Sequence, residues 1–150
     1  MVHVGVTRHP TAAWVAQQLR EATPFGQHPT YLIRDNDTKF GSASARVAED
    51  SGIKILRTAY RAPKMNALCE RFLGSVRREC LDHLPILGEA HLRRAVRAYT
   101  TYFNKQRPHQ GIAQRIPVAR QTVPTSPERA GRVKALPVLG GLHHAYRRVA

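Results

Sequence analysis

The sequence predicts an α/β layered fold, and three observations lead there. Short β-branched runs, Val2–Val6, Thr30–Arg34 and Ile53–Arg57, alternate with segments of helical periodicity. Cap and turn residues stand at the joins between them. Beyond Pro63 the pattern turns to helix, with apolar residues recurring every three or four positions.

Taken in order, "VHVGV" reads as a first strand. Thr11 is placed to cap a helix over "AAWVAQQLREA", with Val15, Leu19 and Ala22 on one face and Pro24 closing it. Trp14 reads as a packing residue on that helix. The strand Thr30–Arg34 follows and ends on Asp35, Asn36 and Asp37. Ser42 is expected to cap a second helix, which Gly52 ends, before the strand Ile53–Arg57. From about Met65 to His83, Leu68, Phe72 and Val76 form an apolar stripe, supported by Cys69, Leu73 and Cys80. A further helix from Gly88 to Gln106 aligns Leu92, Val96, Tyr99 and Phe103 until Pro108 stops it. Residues 119–134, rich in Pro, Ser, Thr and Arg, read as a linker. The tail 135–150 suits a small hairpin around Gly140-Gly141.

Charge narrows the function. Lys and Arg total 24 against 10 Asp and Glu, a formal net charge of +14. Residues 61–120 hold 12 basic and 4 acidic side chains, so the middle of the chain is where a polyanion is expected to touch. A solvated basic surface is the plainer reading of the same count. No apolar run approaches the ~20 residues that span a bilayer, and no signal-peptide pattern opens the chain. A cytoplasmic location and no membrane partner are expected. Cys69 and Cys80 are too far apart along a helix to bond, and no CxxC spacing suggests structural zinc.

The acids are few, which makes their placement informative. A carboxylate at the carboxyl end of a strand sits where ligand sites of α/β folds collect. Asp35-Asn36-Asp37 is equally a turn whose side chains bond nearby backbone. Glu70 lies in the basic middle segment. At helical spacing Asn66, Glu70 and Arg77 fall on one side, roughly opposite the Leu68–Phe72–Val76 stripe. An ion pair of Glu70 with Arg77 is the alternative, worth about 0.2–0.5 kcal/mol. Tyr99 and Phe103 fit either a core or a base-stacking surface, and His109 either a phosphate contact or a loop.

Together, "RDNDTKF", "APKMNALCERFLGSVRREC" and "YFNKQRPHQGI" (Tyr102–Ile112) resemble motifs of the retroviral-integrase and bacterial insertion-sequence transposase superfamily of DDE enzymes. The likeness covers residues 2 to about 118, with 34 residues between Asp35 and Glu70. It implies a ribonuclease H-like three-layer α/β fold over 1–118. It also implies metal-dependent DNA strand cleavage and transfer, with two Mg²⁺ or Mn²⁺ ions held by three carboxylates. Asp35 then corresponds to the second catalytic and metal-binding acid and Glu70 to the third. Asn36 and Asn66 support the site, and Asp37 stands where relatives often have glycine. Lys64, Arg71, Arg77 and Arg78 would bind DNA phosphates. The implied partners are mobile-element ends and target DNA, with a second copy or a full-length transposase. The protein would be nucleoid-associated when bound to DNA.

The resemblance also implies what is missing. The first acid of such proteins lies on the first, central strand, upstream of a segment like "VHVGV", and no acid precedes Glu21 here. An N-terminally truncated core, catalytically incomplete, is therefore expected. Loss of a central strand leaves unpaired backbone groups costing about 1–3 kcal/mol each when buried. A non-catalytic basic DNA-binding fragment, or an inhibitory partner of a full-length transposase, is the competing expectation.

Overall fold

A computed structural model describes residues 3–24, 28–59, 63–118 and 131–149. It has mixed helix and strand content and divides into two compact units, 2–75 and 76–150. The division falls inside a helix, and the tail hairpin belongs to the second unit.

The first unit is built from α1 (Ala12–Ala22), β1 (Tyr31–Arg34), α2 (Ser42–Asp50) and β2 (Lys54–Arg57). Thr11 caps α1 as its sequence suggests, its side chain accepting the Trp14 N–H at 3.2 Å. α2 differs from expectation. Its N-cap is Gly41, with Ser42 already helical, and Ser44 Oγ donates to the Gly41 carbonyl at 2.9 Å. Gly52 ends α2 at φ 69°, a left-handed conformation that a side chain strains. β1 and β2 pair in parallel, Tyr31 with Lys54 through Arg34 with Arg57. α1 packs on α2, and Ala16, Val47, Ala48 and Ile53 form the small core. Tyr31, Ile33 and Leu56 remain exposed on the strands.

The expected strand Val2–Val6 does not form. Val2 lies outside the described residues, and His3–Val6 run as irregular chain. The segment lies on α1 instead. His3 Nε2 bonds Gln18 Oε1 at 2.8 Å, and a Cβ on Gly5 would collide with Trp14 and Gln18.

The expected helix from Met65 to His83 is three pieces: a 3₁₀ turn Pro63–Asn66, α3 (Ala67–Glu79) and a 3₁₀ turn Leu81–His83. Its stripe is covered only at one end. Leu68 is 79% exposed and Leu73 63%, whereas Ser75, Val76 and Cys80 are buried. Helical spacing marks the face a partner surface would cover, and the described residues supply that surface only at the carboxyl end.

The second unit holds α4 (Glu89–Lys105), β3 (Arg132–Val138) and β4 (His143–Val149). Tyr99 and Cys80 are its fully buried side chains, with Ala95 and Ala145 beside them in the buried set. β3 and β4 form an antiparallel hairpin, Arg132 opposite Val149 through Val138 opposite His143. The hairpin turns through Gly140 (φ 68°) and Gly141 (φ 99°). Its first strand takes in Arg132–Lys134, the last residues of the expected linker. Residues 119–130 of that linker lie outside the described residues. Among the described residues no helix is long and apolar enough to cross a membrane.

Candidate carboxylate site and nucleic-acid interface

The acidic corner is delivered by the end of β1. Thr58 N donates to the Arg34 carbonyl at 2.9 Å, so Asp35 is the first residue beyond the ladder. Asp35 Oδ1 accepts the Asp37 N–H at 3.1 Å, which folds the chain back in an Asx turn. Asn36 Nδ2 donates to the Thr58 carbonyl at 3.3 Å and ties the corner to the end of β2. Asn36 thus holds the loop that carries Asp35. Asp37 turns to Lys39, accepting its N–H at 2.9 Å and facing its Nζ at 3.1 Å. The Lys39 backbone bond, reinforced by its side chain, holds the Asp37 carboxyl below its ordinary value. Asp37 is a turn residue.

Beneath the corner, Arg34 is buried. Its Nη1 donates to the Asp35 carbonyl at 3.1 Å and its guanidinium lies 5.6 Å from the Phe40 ring centre. Its buried Nε finds no hydrogen-bond partner among the described residues.

Glu70 stands in the first turn of α3, exposed, where the helix dipole favours an anion. It shares the unit 2–75 with Asp35. Among the described residues neither carboxylate has an ion pair, so the expected alternative of Glu70 with Arg77 does not form. Arg77 Nε instead lies 3.6 Å from Asp82 Oδ1. Asn66 is half-buried in the 3₁₀ turn before α3, and Lys64 is exposed in the same turn. Arg71, Arg77 and Arg78 are exposed along α3.

Asp35 and Glu70 are hard oxygen donors, the kind that suits Mg²⁺ or Mn²⁺. Among the described residues no three His, Cys, Asp or Glu side chains gather in a group that could hold a metal. Two carboxylates match in kind a single Mg²⁺ that completes its shell with water and a phosphate. They fall short of a two-ion arrangement.

A second acid on α3, not singled out in the sequence, has a different fate. Glu79 is gripped by Arg107, with Nη2 to Oε1 at 2.7 Å and Nε to Oε2 at 2.9 Å. Tyr99 Oη donates to the same Oε2 at 2.8 Å. Burial opposes ionisation of Glu79, but the Arg107 and Tyr99 bonds outweigh it and hold its carboxyl below the ordinary value. Burial, with the neighbouring Glu79 carboxylate, pushes the Tyr99 phenol well up. His143 Nε2 lies 2.6 Å from the Glu79 carbonyl, and its ring stacks on Tyr102 at 4.7 Å. The cluster is a structural clamp joining α3, α4 and the hairpin. Its visible signal is "YFNKQRPHQGI", which supplies Tyr102 and Arg107. His109 takes the loop role, its Nε2 2.7 Å from the Phe103 carbonyl. Tyr99 is core rather than a stacking surface.

The family described as integrase core domain matches residues 51–117. That span includes Glu70 and the Glu79–Arg107 pair. An uncharacterized 39.2 kDa protein of insertion element IS476 from Xanthomonas euvesicatoria is 30% identical over 120 residues, 79% of this chain and 34% of that protein. An uncharacterized 31.7 kDa protein of insertion element IS407 from Burkholderia multivorans is 30% identical over 112 residues, 74% of this chain and 40% of that protein. The chain thus spans 34% and 40% of the length of these two relatives.

Proposed function

We propose that the chain, which matches the integrase core domain over residues 51–117 and is 30% identical to two insertion-element proteins, serves DNA transposition as a partial DDE core of ribonuclease H-like type. The observation that supports this reading is the placement of Asp35 and Glu70. One lies just past the carboxyl end of the parallel strand β1 and the other in the first turn of α3, both exposed and without an ion pair among the described residues.

In this reading Asp35 and Glu70 hold a divalent cation, Mg²⁺ or Mn²⁺. When bound, the ion supplies Lewis-acid polarisation of a phosphoryl oxygen. The protein's own part is positioning. Asn36 anchors the corner through Thr58, the Asp35–Asp37 turn aims the Asp35 carboxylate, and Asn66 supports the approach to α3. Lys64, Arg71, Arg77 and Arg78 neutralise backbone phosphates of element ends and target DNA, which adds affinity without reading sequence. With two carboxylates in hand the chain alone is catalytically incomplete. It would complete its chemistry only beside another copy or a full-length transposase, in a DNA-bound, nucleoid-associated state in the cytoplasm.

Mn²⁺ broadening of amide resonances tests this without requiring turnover. The ion is expected to broaden the signals of Asp35 and Glu70 together, and Glu70→Gln to weaken that effect while leaving salt-sensitive DNA binding intact. Signals that stay sharp at both positions would sink the metal-site reading. The second reading, a non-catalytic DNA-binding fragment or inhibitory partner, would then stand. It is favoured by the lack of any three-ligand group among the described residues.

A further inference from the structure

We infer that the β3–β4 hairpin is a second DNA-contacting element, a basic two-stranded ribbon that fits the phosphate-lined groove of duplex DNA. Three observations support it.

From residue 131 to residue 149 the chain has no Asp or Glu, but it has Arg132, Lys134, Arg147 and Arg148. All four are exposed, and none has an ion pair among the described residues. The ladder then sets Lys134 directly opposite Arg147. Like charges opposite one another on one face of an antiparallel pair destabilise it, so the free protein holds an unfavourable contact that a polyanion would relieve. Finally, the ribbon is held at one end and open at the other. Near its turn, His143 is fixed by the Glu79 carbonyl and the Tyr102 ring, and Ala145 is buried. The far end, with Arg132, Lys134, Arg147 and Arg148, is solvent-exposed.

A two-stranded β-ribbon has the dimensions to enter the major groove of B-form DNA, whereas the deep, narrow major groove of an RNA duplex excludes it. On the opposite face Tyr146 is 72% exposed, two residues from Arg148 and with Val133 opposite that arginine. The ribbon therefore offers a flat aromatic beside its charge. This inference deepens the proposed DNA-handling role but rests on different residues.

The test uses the full chain and a short fluorescein-labelled DNA duplex. The triple variant Lys134→Gln, Arg147→Gln, Arg148→Gln is expected to flatten the slope of log affinity against log salt by about 2–3, because each lost phosphate contact removes ~0.9. A control with equal charge loss, Arg20→Gln, Arg46→Gln, Arg97→Gln, should leave that slope nearly unchanged. Equal flattening in both would overturn the inference, and so would equal affinity for an RNA duplex of the same sequence. A single variant, Lys134→Glu, guards against misfolding. It should raise the thermal midpoint while weakening DNA binding, and a fall in both together would reduce the ribbon to a structural element. Duplex binding with the expected slopes but no Mn²⁺ effect at Asp35 and Glu70 would defeat the proposed function and leave this inference standing.

Discussion

Two glutamates of α3, nine residues apart, show how one helix supports two kinds of carboxylate. Glu70 sits in the first turn, exposed and without an ion pair among the described residues. Glu79 closes the helix with Arg107 bidentate on its oxygens and Tyr99 donating to one of them. The apolar residues divide the same way. Leu68 and Leu73 face solvent beside Glu70, whereas Val76 and Cys80 are buried beside Glu79. A carboxylate whose hydrogen bonds are all satisfied within its own protein is a structural part. One left open, where the helix dipole favours negative charge, remains available to a cation or a partner.

The comparison is broken most strongly at Arg107. Arg107→Ala leaves Glu79 partly buried without its charge partner, and is expected to cost about 3 kcal/mol by urea unfolding. Acid sensitivity sharpens the same point. The folded Glu79 value is lowered, so between it and the unfolded value, near 4.5, the unfolded chain binds more protons. The pair's stabilisation is therefore fully present above that range and is lost as pH falls through the folded value. Arg107→Ala should flatten that part of the stability–pH curve. An unchanged curve would show that Glu79 is not the acid-sensitive group.

Tyr99→Phe keeps the ring and removes one charge-assisted hydrogen bond, so a loss of about 1.5–3 kcal/mol is expected in the same assay. Away from α3, Thr11→Ala removes the side-chain cap of α1 and should cost about 1 kcal/mol. The smallest effect belongs to the other side of the comparison. Glu70→Gln should stay within about 0.5 kcal/mol of the parent in stability. A large loss there would make Glu70 a second structural acid and erase the distinction between the two.

Much of the fold was legible in local pattern. Thr11, Gly52 and Pro24 mark helix ends through backbone geometry that acts within a few residues, and β1 and β2 follow from short aliphatic runs. The corner Asp35-Asn36-Asp37 was legible as well, since an Asx turn is itself a local hydrogen bond. Elsewhere the same logic misled. "VHVGV" has strand propensity, but His3 and Gly5 settle against Gln18 and Trp14 of α1. Ser42 has the chemistry of a cap, but α2 begins one residue too early for it to serve. The Leu68–Phe72–Val76 stripe has the right period and is covered at only one end.

By itself, then, the sequence determined the helix ends, the two short strands Tyr31–Arg34 and Lys54–Arg57, the acidic turn and the strong positive charge. Each depends on dihedral preference, spacing or composition, which nearby residues decide. Only the tertiary structure decided that Glu79 meets Arg107 from 28 residues away while Glu70 meets no ion-pair partner among the described residues. It alone set Lys134 opposite Arg147 in the hairpin. Pairing and burial depend on surfaces brought together from distant parts of the chain, and no local spacing encodes which of two similar side chains will find a partner.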